Sequence, residues 1–312
     1  MNTFRLGLEW FLNPDHAPLL IAQEHGWFAE ANLDLEIVEP DAHMDAVEAI
    51  EDGKLDVAIT EPLHLVEDRA EGAPVVGFAR FLHTNGGVMY LKEQSIERPR
   101  DMVGARIQYP GAPGPGGPAI VQTMIEHDGG TANPDEFVPV NNSFYHTDAL
   151  ADDKADVATL VFYNFELVEA EHRGLNAGFF ALKDWGIPDF CQLIMITTPQ
   201  HLQARRDAFA RFVRVLRRGI DFLHQQPESA ADIYRHRADV EPGDTLTPKT
   251  FAATLPCFTY DFGMTTDYYA ALETWMFERG LIARRPGANA YWTNDLALPV
   301  GTSKASSEAA ER

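Results

Sequence analysis

Short apolar runs of strand character recur along this chain, each followed by a helical pattern, and this alternation constrains the fold more than any other feature. Leu33, Leu35 and Ile37 alternate with Asp34 and Glu36, the period of a half-buried strand. Ala42 to Asp52 reads as a helix with Met44, Val47, Ala49 and Ile50 on its apolar face, ended by Gly53. Leu55 to Ile59 is a short buried strand, Leu63 to Ala70 a helix, Gly72-Ala73-Pro74 a turn and Val75 to Phe81 a strand. The pattern predicts a doubly wound α/β domain. After a strand at Gly87 to Leu91 the character shifts. Arg98 to Gly104 reads as a short helix, Ala105 to Tyr109 as a strand, and Ile120, Val121, Met124 and Ile125 mark a helix. Phe137 to Val140 is strand-like, Thr147 to Lys154 helical, and Ala155 to Val161 a buried strand, so a second α/β unit begins near residue 95. Phe190 to Thr198 is again a strand. Pro199 to His224 reads as one long helix with Phe209, Phe212, Val213, Leu216, Ile220 and Phe222 on its apolar face. The remainder is helical, Tyr268 to Gly280 most clearly, and the polar stretch Thr302 to Arg312 is expected to be disordered. No internal repeat or heptad is evident by eye.

At 312 residues the chain has room for two domains, and 45% apolar with 23% charged residues suits a packed core. A net charge of −22 and the lack of a basic stripe argue against a nucleic-acid protein and disfavour an anionic membrane surface. Cys191 and Cys257 lie too far apart in sequence for zinc spacing or a disulfide framework and read as two buried thiols. No run of about 18 apolar residues exists, so no membrane insertion is expected. The N-terminus lacks a charged region followed by an apolar one, so the chain as written reads as cytoplasmic. A removed export signal would leave the same sequence and a periplasmic or extracellular protein.

Leu8 to Phe28 gathers the polar residues of the first strand end. A turn at Asn13-Pro14-Asp15-His16 precedes a helix from Ala17 to His25; Pro18 suits its first turn, Asp15 or His16 is placed to cap it, and Gly26 to end it. Glu9, Trp10, Asn13, Asp15 and His16 thus cluster at a strand's carboxyl end, where ligands bind in open α/β sheets. The alternative is a core tryptophan and an ordinary turn. The loop Gly111-Ala112-Pro113-Gly114-Pro115-Gly116-Gly117 follows a strand and precedes a helix, a place where backbone N–H groups can cradle an anion, although its prolines remove donors. It lacks the Lys-Ser/Thr of a Walker motif. The alternative is a stiff connector. His64, beside Thr60 and Glu61, stands where it could bond a ligand or move a proton, or merely start a helix. His16, His25, His43, His83 and His146 show no metal-ligand spacing. Phe162-Tyr163-Asn164-Phe165-Glu166 supplies aromatic faces, an amide and a carboxylate, a set that suits a flat nitrogen heterocycle but equally an acidic helix start.

Several stretches in order, LEWFLNPDHAPLLIAQEHGWFAEANLDLEIVEP, LDVAITEPLH, GVMYLKE, ARIQYPGAPG, FYNFELVEAE and YWTNDLALP, resemble the thiamine pyrimidine synthase/NMT1-like family over roughly residues 4 to 300. That family includes fungal pyrimidine-phosphate synthases and bacterial formyl-aminopyrimidine-binding proteins of ABC importers. The resemblance implies a type II periplasmic-binding-protein fold, α/β, with lobe I from residues 1–90 and 195–300, lobe II from 91–194, a tail at 301–312 and ligand in the cleft. It implies that Trp10 and His16 are pocket residues, that Glu9 replaces an asparagine of the synthases, that His64 matches their active-site histidine, and that Gly111 to Gly114 matches their phosphate loop. The lysine that holds pyridoxal phosphate in the synthases is Thr60 here, and their cysteine-rich iron motif is reduced to Asp189-Phe190-Cys191-Gln192. A threonine cannot form a Schiff base.

The expected function is therefore binding of a thiamine-related aminopyrimidine or similar heterocycle. Trp10 and Tyr163 would stack on it, and Glu9 and Glu166 would accept its amino hydrogens. Asn13, His16, Thr60, His64, Gly111, Gly114 and Asn164 would complete the site. Hinges near 86–92 and 190–198 would close it. No cofactor is expected, and an ABC permease is the expected partner of an exported form. The alternative is a cytoplasmic pyrimidine synthase with His64 catalytic, which alone would call for pyridoxal phosphate and iron. A third reading is binding of an aliphatic sulfonate or another small anion.

Overall fold

The computed structural model describes residues 2–40 and 46–297. The expected residues Ala42 to Met44 and the tail from Thr302 to Arg312 lie outside them. β1 (Asn2–Gly7) leads through a 3₁₀ turn at Pro14–His16 to α1 (Ala17–Glu24), α2 (Trp27–Glu30) and β2 (Leu33–Val38). α3 (Ala46–Glu51), β3 (Val57–Thr60), α4 (Pro62–Glu71) and β4 (Val76–His83) follow. β5 (Gly86–Leu91), β6 (Arg106–Gln108), α5 (Gly116–His127), β7 (Val138–Val140), α6 (His146–Ala151), β8 (Val157–Phe162), α7 (Val168–His172) and β9 (Ala177–Ala181) come next. The chain ends with β10 (Gln192–Thr197), α8 (Pro199–Ala204), α9 (Arg206–Gln225), α10 (Pro227–Arg237), α11 (Thr247–Thr254) and α12 (Thr266–Glu278).

The strands form two five-stranded sheets, ordered β2-β1-β3-β10-β4 and β7-β6-β8-β5-β9. In each, four strands run in one direction and the fourth in order, β10 or β5, is the antiparallel strand that has just crossed from the other sheet. The crossings lie between His83 and Gly86 and between Ala181 and Gln192, so Gly86–Leu91 pairs in the second sheet. Parallel strands with helical crossovers put the carboxyl ends of β1, β3, β6 and β8 on the facing edges of the two sheets, which is where the site residues sit.

The two sheets share a short sequence repeat, contrary to the expectation of none. Residues 51–58 (EDGKLDVA) and 151–158 (ADDKADVA) occupy equivalent places, closing α3 before β3 and α6 before β8. Gly53 and Asp153 both take positive φ. The Asp56 and Asp156 carboxylates each accept a backbone N–H at 2.7 Å, from Arg5 and Arg106 respectively, and so tie β3 to β1 and β8 to β6. Five identities over eight residues, a hundred residues apart, are too few to stand out without the pairing.

The helix expected over 199–224 breaks at Arg205, whose φ of −120° is not helical. Thr198 caps α8 by accepting the His201 N–H. The break lets His201 Nε2 (2.9 Å) and the Arg205 guanidinium both reach Asp56 Oδ1, anchoring α8 and α9 to the first sheet. The apolar face of α9 is buried as expected at Phe209, Phe212, Val213, Leu216 and Ile220; Phe222 is half-buried against His25 and Trp27. Phe4 of β1 packs on Phe209 and Phe212. Each such side chain contributes roughly 1.5–3 kcal/mol by leaving water.

Candidate functional site

The loop after β1 is shaped by Asn13. Its backbone is extended (φ −147°), and its side chain accepts the Asp15 N–H at 2.8 Å, capping the turn that precedes α1. Of the two residues expected to cap α1, His16 stands at its N-cap position but makes no side-chain cap bond there; the Asx-type bond of Asn13 caps the turn before it. His16 is left to turn its ring back. His16 Nδ1 accepts the Asn13 N–H at 3.2 Å, so the ring's other nitrogen carries the hydrogen and donates to both Glu9 oxygens, at 3.1 and 3.2 Å. Burial alone would lower the His16 pKa, but the charge and hydrogen bond of Glu9 reverse this and hold it above the usual histidine value. Asn13 and His16 are thus buried behind Glu9, whose partly exposed side chain is the one of the three that meets solvent.

From the second sheet, β8 ends in a π-helical turn, Tyr163–Leu167. The wide turn brings Glu166 back so that its Oε2 accepts the Phe162 N–H at 2.9 Å. Glu166 is 2% exposed, its Oε1 has no hydrogen-bond partner, and burial pushes its carboxyl up to about 8. Asn164, equally buried, donates to Asp15 Oδ1 and to Thr254 Oγ1 of α11, each at 2.8 Å. The two strand ends therefore touch.

Trp10 lies at that junction. Its ring is 7% exposed and enclosed by Phe11, Phe165, Phe162 and Phe144, with centroids 4.9, 5.2, 6.0 and 6.3 Å away; its Nε1 has no hydrogen-bond partner. Phe144, Phe162 and Phe165 come from the second unit, so the two units touch at Trp10, and a ligand ring stacking on Trp10 must displace Phe11 or Phe165. Tyr163 is 47% exposed, with its ring edge-on to Phe179 at 5.5 Å.

The other expected site residues are placed differently. Thr60 is buried at the end of β3, its Oγ1 3.4 Å from His64 Nδ1; His64 itself is exposed on the first turn of α4. Glu61 between them has a buried Oε2 without a partner, and burial raises its carboxyl to about 8. Gly111 takes φ +77°, which glycine tolerates. The Gly114 N–H, which the cradle reading needs, donates instead to Tyr109 Oη (2.8 Å), and that hydroxyl donates back to Gly114 O (2.6 Å). The loop is pinned to Tyr109, so Gly114 is not a free anion donor.

Glu61, Thr254 and the phenyl rings of Phe11, Phe144 and Phe165 join the site without having been singled out as contacts. Glu61 carried a signal, since it follows a strand's carboxyl end. Thr254 carried none, because α11 reaches the cleft only through tertiary packing. Among the described residues, no group of three His, Cys, Asp or Glu side chains could hold a metal ion. The residues present do not fit a Schiff-base cofactor: Thr60 offers a hydroxyl where an amine is needed, and Cys191 is a buried thiol whose pKa burial raises further.

Residues 13–230 match the family described as NMT1/THI5 like. The chain belongs to that family. NMT1/THI5-like relatives include the formylaminopyrimidine-binding protein of Halalkalibacterium halodurans, 27% identical over 234 residues (75% of this chain, 70% of that protein). They also include the 4-amino-5-hydroxymethyl-2-methylpyrimidine phosphate synthase of Legionella pneumophila, 30% identical over 255 residues (80% of this chain, 78% of the synthase). Among solved structures, the alkanesulfonate-binding protein SsuA of Xanthomonas axonopodis pv. citri, bound to MOPS, superposes with a TM-score of 0.72 at 13% identity, over 94% of this chain and 98% of SsuA. At that identity the likeness speaks for fold alone. The fold of this NMT1/THI5-like chain is the two-lobed periplasmic-binding-protein fold. No described helix is long and apolar enough to cross a membrane.

Proposed function

We propose that this protein binds a thiamine-type aminopyrimidine, or a closely similar amino-heterocycle, between its two lobes. The observation that carries this reading is Glu166: a fully buried carboxyl with one oxygen unused, set in an aromatic wall. Among the described residues no lysine or arginine pairs with Glu166, Asp15 or Glu61. A ligand amino group supplies the hydrogen that the free Glu166 oxygen lacks. Trp10 and Tyr163 supply aromatic faces, and Glu9, held by His16, a second acceptor. The same acidic surroundings disfavour a sulfonate or a phosphate, since burying an anion beside unpaired carboxyls is costly. Neither pyridoxal phosphate nor iron enters this reading. For an exported form of the chain, delivery of the ligand to an ABC-type permease is the matching role.

Calorimetric titration with a panel of aminopyrimidines is expected to give heat and a one-to-one complex. Folded protein that gives no heat with any of them overturns the proposal. The Legionella relative's name keeps one competitor, pyrimidine synthesis with His64 moving a proton. That reading expects turnover lost in His64→Ala, whereas a binder returns its ligand unchanged.

A further inference from the structure

Asp15 and Asn164 face each other across the cleft with half of their hydrogen-bonding capacity unspent. Asn164 Nδ2 places one hydrogen on Asp15 Oδ1 and the other on Thr254 Oγ1. Asp15 Oδ2 and Asn164 Oδ1 remain buried, each without a partner. While the carboxyl is ionised the two orphans cannot pair with each other, because both are acceptors. One proton on Oδ2 changes the chemistry. A carboxylic acid and a primary amide are complementary, each giving one hydrogen and taking one, so a proton on Oδ2 supplies the kind of donor that Asn164 Oδ1 lacks.

The surroundings point the same way. Asp15 is fully buried. His16 is beside it, with Glu9 behind on the same loop; Glu166 faces it from the turn after β8, Tyr234 from α10, Thr254 from α11 and Cys257 from just beyond. Glu39, after β2, stands behind His16 and Tyr234. Burial raises the Asp15 carboxyl to about 7; His16 opposes the rise, Glu9 adds to it, and the Asn164 bond and the nearby Thr254 hydroxyl oppose it.

We propose that Asp15 is protonated in the closed form and clasps Asn164 as an acid–amide pair, so that closing the two lobes takes up one proton. The link to ligand affinity rests on the cleft-binding reading above; the clasp itself does not. In an open form Asp15 meets water and returns to the ordinary aspartate range near 4. Closure therefore weakens as pH rises from about 4 towards 7, by up to tenfold per unit, and levels off above.

Two measurements on the ligand-free chain test this. Carbon-detected NMR of the Asp15 carboxyl should show a midpoint near 7, and a midpoint in the ordinary aspartate range overturns the proposal. Small-angle X-ray scattering between about pH 5 and pH 8 should show wild-type protein expanding as pH rises. Asp15→Asn, whose amide carries the needed hydrogen at every pH, should stay compact. Wild-type and variant profiles that coincide overturn it as well. If Asp15→Asn fails to fold, the wild-type NMR titration decides alone. A raised Asp15 midpoint with no heat from any aminopyrimidine would sink the ligand reading and leave the clasp standing.

Discussion

Glu9 and Glu166 are both carboxylates at strand ends, yet their surroundings give them different tasks. Glu9 accepts from a histidine held above its usual pKa and stays partly wet; Glu166 is dry, with its pKa pushed up to about 8. Glu166→Gln keeps the shape and the acceptor for the Phe162 N–H but puts an amide donor where the free oxygen stood. It is expected to weaken aminopyrimidine binding roughly 10- to 100-fold, the cost of leaving a buried polar group unpaired. Because the folded-state pKa of Glu166 is raised, its contribution to stability is lost as pH climbs from about 4.5 to 8. Denaturation midpoints of Glu166→Gln should therefore fall less steeply than wild type over that window. A parallel profile would contradict the burial argument.

The element that fixes the position of the site is α1, which follows the Asn13-capped turn directly and whose flank packs on α9. That crossing is close because residue 219 has no side chain: a Cβ there would overlap Pro18 O. A backbone carbonyl at a helix start cannot swing aside as a side chain can. Gly219→Ala is expected to cost about 1–3 kcal/mol or more in urea unfolding, and to weaken ligand binding by shifting Asn13, Asp15 and His16. An unchanged midpoint would mean that α1 and α9 can slide apart.

Across the whole molecule, the two crossings pack on each other at Gly86, where a Cβ would run into Cys191 Sγ, and the Thr84 N–H bonds Cys191 O at 3.1 Å. Gly86→Ala is expected to destabilise the chain by about 1–3 kcal/mol and to change the scattering profile, since any relief must move the segments that join the lobes. An alanine variant with wild-type scattering and stability would sink this hinge assignment. Charge acts on the same scale. Asp15, Glu61, Glu67 and Glu166 all have raised pKa values, at about 7 to 8, and each loses stability as pH rises towards that value. His146, buried and lowered to about 4, acts in the opposite sense and loses stability as pH falls below its usual value. With a net charge of −22 repelling itself above neutrality, thermal stability should peak near pH 5–6. Salt should raise the melting temperature at pH 8 more than at pH 6. A midpoint that climbs from pH 6 to pH 8 would contradict this.

The sequence by itself determined the elements whose cause is local. Alternating Leu33, Leu35 and Ile37 gave a strand because a two-residue period buries one face. Gly26 ended α1 because it tolerates φ +70°, and the apolar stripe of α9 had nowhere to go but the core. The family was legible too, since its motifs are short and contiguous. Tertiary structure alone decided the rest, because it depends on groups distant in the chain. Arg205 breaks α8 from α9 on its way to Asp56, Tyr109 takes the Gly114 N–H, and the 51–58 and 151–158 repeat shows itself only through matched pairing. The contact of Asn164 with Asp15 and Thr254 spans three segments, and no local pattern encodes which carboxyl will be dry enough to keep a proton.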